Sequence, residues 1–375
     1  MHIAHRGLVF HGEKGTDHPS CAFPGICVLP SGRWLCTCRA APTKPATAGQ
    51  HVLLSWSDDE GQSWTKPVAP FVPPDVAGQP GLFRVASLTA LGGERVLAAL
   101  CWVERCDPSL PYFNEKTQGL LDTKVFLAES REAGESWSKP MLVNTHPFHV
   151  PAPLTGPVLL LRDGRWACHF ELNKHYDDTA VWRHSSVCLF SSDEGKTWPE
   201  HVVVSHDPTN RIFYWDQRPA VLQDGTILDV FWTYDNQAAV YLNIHARESR
   251  DNGKTWSEIW DAGIPGQPAP PVAVNGGRIA LVYVDRTASP VIKLRLSSDR
   301  GRTWPAHTEQ IVHGGEVKSQ TWRKQTMQDA WAEMGKFSIG LPCTALLPDG
   351  DVLVAYYAGP ETDCTDIHWA RVRIG

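Results

Sequence analysis

The sequence predicts an all-β fold: a six-bladed β-propeller of four-stranded antiparallel blades, with the N-terminal strand closing the ring. Three observations predict it. An eight-residue turn motif recurs five times, a hairpin with a glycine at its tip recurs six times, and helical periodicity is scarce throughout the 375 residues. Four strands per unit and six units are the arithmetic of a propeller.

The turn is best formed at Ser191 to Trp198 (SSDEGKTW). Its other copies are Ser57 to Trp64 (SDDEGQSW), Ser130 to Trp137 (SREAGESW), Ser249 to Trp256 (SRDNGKTW) and Ser297 to Trp304 (SSDRGRTW). In each, an acidic side chain can accept backbone N–H groups across the turn, the glycine takes a positive φ, and the tryptophan covers an apolar seam. The second copy carries Glu132 in place of aspartate, and the longer side chain is expected to cap its turn less well.

Upstream of each turn lies an apolar run, a glycine turn and a second apolar or alternating run. The six glycines are Gly32, Gly93, Gly164, Gly225, Gly277 and Gly350, a hairpin signature. A third strand follows each hairpin, as in HVLLSWS, TKVFLAES, SSVCLFSS and, at the end, DIHWARVRI. In the first five units it enters the acidic turn and then a fourth strand. The sixth unit ends at Gly375 without one, so Ile3 to Phe10, which has no partner of its own, is expected to complete that blade. On this reading residues 1–375 form one domain. The best short helix candidate lies near Gln328 to Met334.

A chain with 42% hydrophobic residues can bury a large core, and its net charge of -6 excludes the broad basic field that nucleic acid or an anionic membrane would require. No run reaches the roughly 20 apolar residues of a membrane span, and the opening MHIAHRGLVFHGEKG has no secretory apolar segment. As written the chain reads as soluble and cytoplasmic, or secreted if a signal was removed. The ten cysteines show neither paired CxxC spacing nor disulfide-scaffold density, so reduced, mostly buried thiols are expected. No His, Cys and Asp spacing argues for a metal, and no cofactor is expected.

Antiparallel order separates the two faces of such a ring. The glycine turns and acidic turns share one end of the blades; the loops between second and third strands and the crossovers share the other. The second end is the expected site, because binding residues collect on irregular loops held by a rigid scaffold. Side chains expected at that mouth include Arg39, Arg84, Trp102, Glu171, His175, Trp215, Asp216, Arg218, Trp232, Tyr234, Asp235, Asp285, Arg286, Trp322, Arg323, Trp331, Tyr356 and Tyr357. Carboxylates, arginines and aromatic rings converging on a funnel suit sugar chemistry: one group protonates the leaving oxygen, another attacks or activates water, rings stack on the sugar, and guanidinium forks hold a carboxylate or sulfate. His169 alternates with apolar neighbours in ACHFEL and reads as a satisfied strand histidine.

The repeated turn resembles the Asp-box of the sialidase superfamily, and with the six hairpins the resemblance covers nearly the whole chain. It implies an arginine triad for a substrate carboxylate, an aspartate acid/base, and a tyrosine nucleophile assisted by glutamate. The Arg-Ile-Pro element falls on Ala22-Phe23-Pro24, and the loop between Arg39 and His51 holds no aspartate. The assisting glutamate falls on Asp216, a later arginine near Trp232, and the tyrosine near Leu341.

The chain therefore reads as a sialidase-like glycoside hydrolase with an altered site, exo-acting on an acidic or non-standard sugar. Asp216 and Glu171 are the expected principal carboxylates, with Asp235 in reserve. Arg39, Arg84 and Arg218 are the expected anchors, and Trp102, Trp215, Trp232, Tyr234 and His175 complete the expected sugar contacts. A carbohydrate is the expected partner; the oligomeric state is left open. Two alternatives are a polysaccharide lyase acting on uronate glycans, recruiting Tyr234, His175 and Arg218, and a noncatalytic carbohydrate-binding propeller.

Overall fold

A computed structural model describes residues 1–314 and 325–375. The architecture is all-β in a β-propeller arrangement, and its sheets follow the repeats in order. Gly81–Gly92, Arg95–Glu104, Thr123–Ser130 and Met141–Leu142 form one four-stranded sheet; Leu159–Leu160, Trp166–Leu172, Ser185–Ser191 and Glu200–Ser205 form the next. A six-stranded sheet is built on Ile227–Asp235 and a five-stranded sheet on Arg278–Asp285. Ile212–Trp215 with Ala220–Val221, and Gln267–Pro268 with Val272–Val274, are halves of interrupted first strands; Val240–Tyr241 pairs with the far end of Ile227–Asp235.

The largest sheet differs from the six separate units read in the sequence. Ile339–Leu346, Val352–Glu361 and Cys364–Arg373 join Ser20–Val28, Trp34–Ala41 and His51–Ser57 in one seven-stranded sheet, through a parallel pairing of Ser20 with Thr365. The seventh strand is His2–Phe10, antiparallel to Cys364–Arg373 from His2 opposite Arg373 to Phe10 opposite Ile367. Among the described residues hydrogen bonding thus gives five large sheets, because that single contact fuses the first and last units.

Apolar residues alternate on both faces of the central strands, so the core forms between neighbouring sheets. Cys101, Val125 and Leu127 of one sheet pack with Trp166, Phe170 and Leu189 of the next. Val282, Ile292 and Leu294 pack with Val354, Tyr356 and Ala370. At about 25 cal/mol per Å² of apolar area removed from water, these seams are the main stabilising contribution.

The acidic turns lock the outer parts of the sheets. Asp193 accepts from the backbone N–H of Thr197 at 2.9 Å and from its hydroxyl at 2.6 Å, and these bonds hold its carboxyl at about 2, below the usual carboxylate range. Gly195 has φ 79°, and a Cβ there would press to 3.1 Å on Leu127. The Trp198 indole donates to the Gly195 carbonyl at 3.1 Å. In the second copy the hydroxyl of Ser136 bonds Glu132 at 2.7 Å, whereas the aspartate copies also receive the backbone N–H at that position. The longer side chain overshoots the amide.

The helix expected near Gln328 forms as Met327–Met334. Thr326 caps it, its side chain accepting from the Asp329 N–H while the Asp329 carboxylate accepts from the Thr326 N–H. No helix among the described residues is long and apolar enough to cross a membrane. All ten cysteines are free thiols, seven of them buried.

Candidate active site

A cavity of about 530 Å³ opens where the first strands begin and the second strands end. No residue of the five acidic turns lines it. Its wall is made of chain that leaves regular strand geometry: Phe23, Asp216 and Leu341 all line it and hold φ values of 52°, 49° and 42°. Positive φ at bulky residues costs of order 1–3 kcal/mol and persists only where the surroundings enforce it.

At Asp216 the enforcing contacts are visible. Gln217 is fully buried and its amide donates to the carbonyls of Phe170 and Val187, both at 3.0 Å, pinning the bulge to the preceding sheet. The Glu171 carboxylate accepts the Asp216 backbone N–H through Oε1, and its Oε2 lies 3.6 Å from His184. The two flanking side chains, Asp216 and Arg218, both line the cavity, with Arg218 Nη2 3.4 Å from Asp216 Oδ1.

Gln267 completes the hold on Asp216. Its amide nitrogen donates to Asp216 Oδ2, and its amide oxygen accepts from Arg286 Nη1 at 2.9 Å. Arg286 also donates to the Ile339 carbonyl at 3.0 Å and lies 3.9 Å from the Phe337 ring centre. Gly340 makes this possible, since a Cβ there would stand 2.3 Å from Arg286 Nη2.

Arg84 is held differently. Its guanidinium lies 4.6 Å from the Tyr112 ring centre and 5.2 Å from that of Phe23. Among the described residues no carboxylate pairs with it, and its buried Nη1 has no hydrogen-bond partner. Burial lowers its pKa accordingly.

Lys44 reaches the cavity from the loop between Arg39 and His51. Its ammonium donates to the Phe337 carbonyl and lies 3.2 Å from the Tyr357 hydroxyl. Burial first, then the charges of Arg286, Arg39 and Arg84, push its pKa well below the ordinary lysine range. Tyr357 is pushed up to about 12 by burial.

Of the residues expected from sequence, Asp216, Glu171, Arg84, Arg218 and Trp232 line the cavity together. Six do not. Arg39 is fully buried behind the loop, donating to the Ala46 carbonyl at 2.6 Å and to Gln50, so it braces the loop that carries Lys44. Asp235 is paired with Arg211 at 2.6 Å and accepts the N–H groups of Gln237 and Ala238, a strand-end cap. Trp102 is fully buried with its N–H on the Pro74 carbonyl. Trp215 and Tyr234 stack on each other in an aromatic core, ring centres 4.8 Å apart. His175 bonds the His149 carbonyl at 3.0 Å away from the cavity. Apart from His175, which is exposed in the loop after Trp166–Leu172, each stands near a strand end with its side chain on the packed side.

Lys44, Tyr112 and Gln267 were missed by sequence reasoning, and Arg286 and Tyr357 stood only among the general mouth residues. The available signal for Lys44 is that it is the one ionisable side chain between Arg39 and His51. Trp322 and Arg323 lie outside the described residues. His169 is a satisfied strand histidine: its Nε2 donates to the Pro157 carbonyl at 2.9 Å and its Nδ1 accepts from Thr155 at 2.8 Å. Among the described residues no cluster of three or more His, Cys, Asp or Glu is arranged to hold a metal.

Fold and cavity together define a β-propeller with a cationic, carboxylate-bearing central pocket. The chain belongs to the BNR repeat-like domain family, whose model matches residues 110–316. Among solved structures it is similar to a protein of unknown function from Dyadobacter fermentans, with 19% identity, TM-score 0.75 and 99% of each chain covered. It is also similar to a Hadza microbial sialidase, with 17% identity and TM-score 0.66 over 98% of this chain and 68% of the other. The intramolecular trans-sialidase of Ruminococcus gnavus matches with 13% identity and TM-score 0.64 over 98% and 97% of the two chains. These likenesses concern the fold. No curated protein sequence matches the chain.

Proposed function

We infer that the protein is a glycoside hydrolase acting on a terminal acidic sugar in the central cavity. The observation that carries this reading is Arg84, a guanidinium on the cavity wall whose charge no carboxylate among the described residues answers. Leaving such a cation buried and unpaired is costly, and an anionic ligand removes the cost. Asp216 is the principal carboxylate. One of its oxygens accepts from Gln267 and the other faces Arg218, contacts that fix a carboxylate in place to activate water or attack the anomeric carbon. Glu171, bound to the Asp216 backbone, serves as its support.

The fused seven-stranded sheet is read as two blades, which brings the propeller to six, with His2–Phe10 as the outer strand of the last. Residues 1–375 then form a single domain.

Incubation with a panel of uronic and sialic acid glycosides tests the reading. Release of the free acidic sugar supports a hydrolase. An ultraviolet-absorbing unsaturated product would instead identify a lyase, and tight binding without turnover a lectin.

A further inference from the structure

We propose that Lys44 is the general acid of this site, donating its ammonium proton to the departing glycosidic oxygen while Asp216 acts on water. The inference rests on the glycosidase reading above and names a catalytic residue for it.

Two groups are needed for glycoside cleavage, one giving and one taking a proton. Asp216 is held by donors, as the proton-taking group should be. Glu171 is occupied by the Asp216 backbone N–H and stands beside His184. Arginines do not release protons, which removes Arg84, Arg218 and Arg286. Tyr357 is too weak an acid, being pushed up to about 12 by burial. Burial pushes up Tyr112 and the thiols of Cys101 and Cys343, and Glu115 stands exposed at the rim. Lys44 remains, buried in the cavity wall with its loop fixed from two sides. Arg39 donates to the Ala46 carbonyl of that loop, and Asp363 accepts the Lys44 backbone N–H at 2.7 Å.

Three donor positions on Nζ face two protein acceptors, the Phe337 carbonyl and the Tyr357 hydroxyl. Among the described residues no acceptor takes the third, which is offered to a ligand oxygen. The charged and titratable groups around Lys44 are Arg286, Arg39, Arg84, Asp363 and Tyr357. The three cations make it release its proton readily, and a substrate carboxylate on Arg84 favours its charged form until transfer.

The step balances without a further reactant. The bond between the anomeric carbon and the leaving oxygen breaks, and Lys44 protonates that oxygen. Water supplies the new oxygen at the anomeric carbon, and Asp216 takes its proton. Proton return from Asp216 to Lys44 through solvent completes the cycle.

The test compares methyl and 2,4-dinitrophenyl glycosides of the same hexuronic acid, which differ only in the leaving group's need for a proton. Lys44→Met is expected to lower kcat/KM on the methyl glycoside by about a thousandfold and on the dinitrophenyl glycoside by less than about tenfold. The basic limb of the wild-type pH profile should vanish with it. Equal losses on both substrates would overturn the assignment. Should Lys44→Met melt early, Lys44→Arg, which keeps the charge but cannot release the proton, carries the same comparison. If the wild type binds the free hexuronic acid yet cleaves neither glycoside, the hydrolase reading itself falls; cleavage with equal losses removes only Lys44.

Discussion

The Glu171 carboxylate accepts a hydrogen bond from the backbone N–H of Asp216, a residue held at φ 49°. One carboxylate therefore supports the backbone from which the other projects, and the two should respond differently to substitution. Asp216→Asn is expected to reduce turnover more than a hundredfold without changing the melting temperature. Glu171→Gln keeps an acceptor oxygen and should cost about tenfold. Glu171→Ala leaves the amide unsatisfied and should lower stability by about 1–2 kcal/mol. Urea denaturation with steady-state rates checks all three; a Glu171→Gln loss as large as that of Asp216→Asn would return Glu171 to a direct chemical role.

Arg84 gives a prediction with opposite signs for stability and binding. Replacing an unpaired buried cation with an apolar side chain of similar length removes a desolvation cost. Arg84→Met should therefore raise the urea midpoint, by about 1 kcal/mol in stability, while weakening hexuronic acid binding roughly a hundredfold. Calorimetric titration beside denaturation reads both. A loss of stability would mean that stacking on Phe23 and Tyr112 outweighs the buried charge.

How far the sequence reveals the molecule follows from what repeats and what does not. Asp193, Gly195 and Trp198 bond within a few residues of one another, so their role is legible in eight letters. Asp216 and Arg218 were legible from position: both stand at the start of a first strand on the expected mouth, and the glutamate implied by the family resemblance falls on Asp216. Gln267 and Lys44 were not, because their roles depend on residues 51 and 313 positions away, Asp216 and Tyr357. The aromatic candidates failed for a physical reason. Trp102, Trp215 and Tyr234 stand at strand ends, where a one-residue step decides between cavity and core, and apolar rings favour the core.

The N-terminal strand should be necessary for cooperative folding. Ile3 packs against the apolar core that also contains Val354 and Val372. Gly7 lies so close to Trp369 that a Cβ there would stand 2.6 Å from its indole nitrogen. Removing residues 1–10 strips the outer edge of Cys364–Arg373 and exposes unpaired backbone. The truncated chain is expected to lose its single sharp thermal transition in calorimetry. An unchanged transition would show that His2–Phe10 is an accessory strand.

Stability should fall on acidification well before the carboxylates titrate, and His169 supplies the cause. Burial lowers its pKa to about 3, while an unfolded histidine titrates near 6.5. The folded ring is neutral, and its hydrogen bonds to Pro157 and Thr155 require that state. Above pH 6.5 both states are neutral and nothing is lost. Between 6.5 and about 3 only the unfolded chain takes up the proton, so stability declines across that window by roughly 5 kcal/mol in all. His313, lowered to about 4 mainly by burial, adds to the upper part of the same window. Asp193, held at about 2, loses its contribution only below the usual carboxylate range. Asp229, raised well above the ordinary value by burial, acts with the opposite sign, so the share of His169 is read as the difference between the wild type and a variant lacking it. Urea midpoints from about pH 6.5 to 4.5 should fall more steeply toward acid in the wild type than in His169→Gln. Parallel slopes in the two proteins would show that the fall has another source.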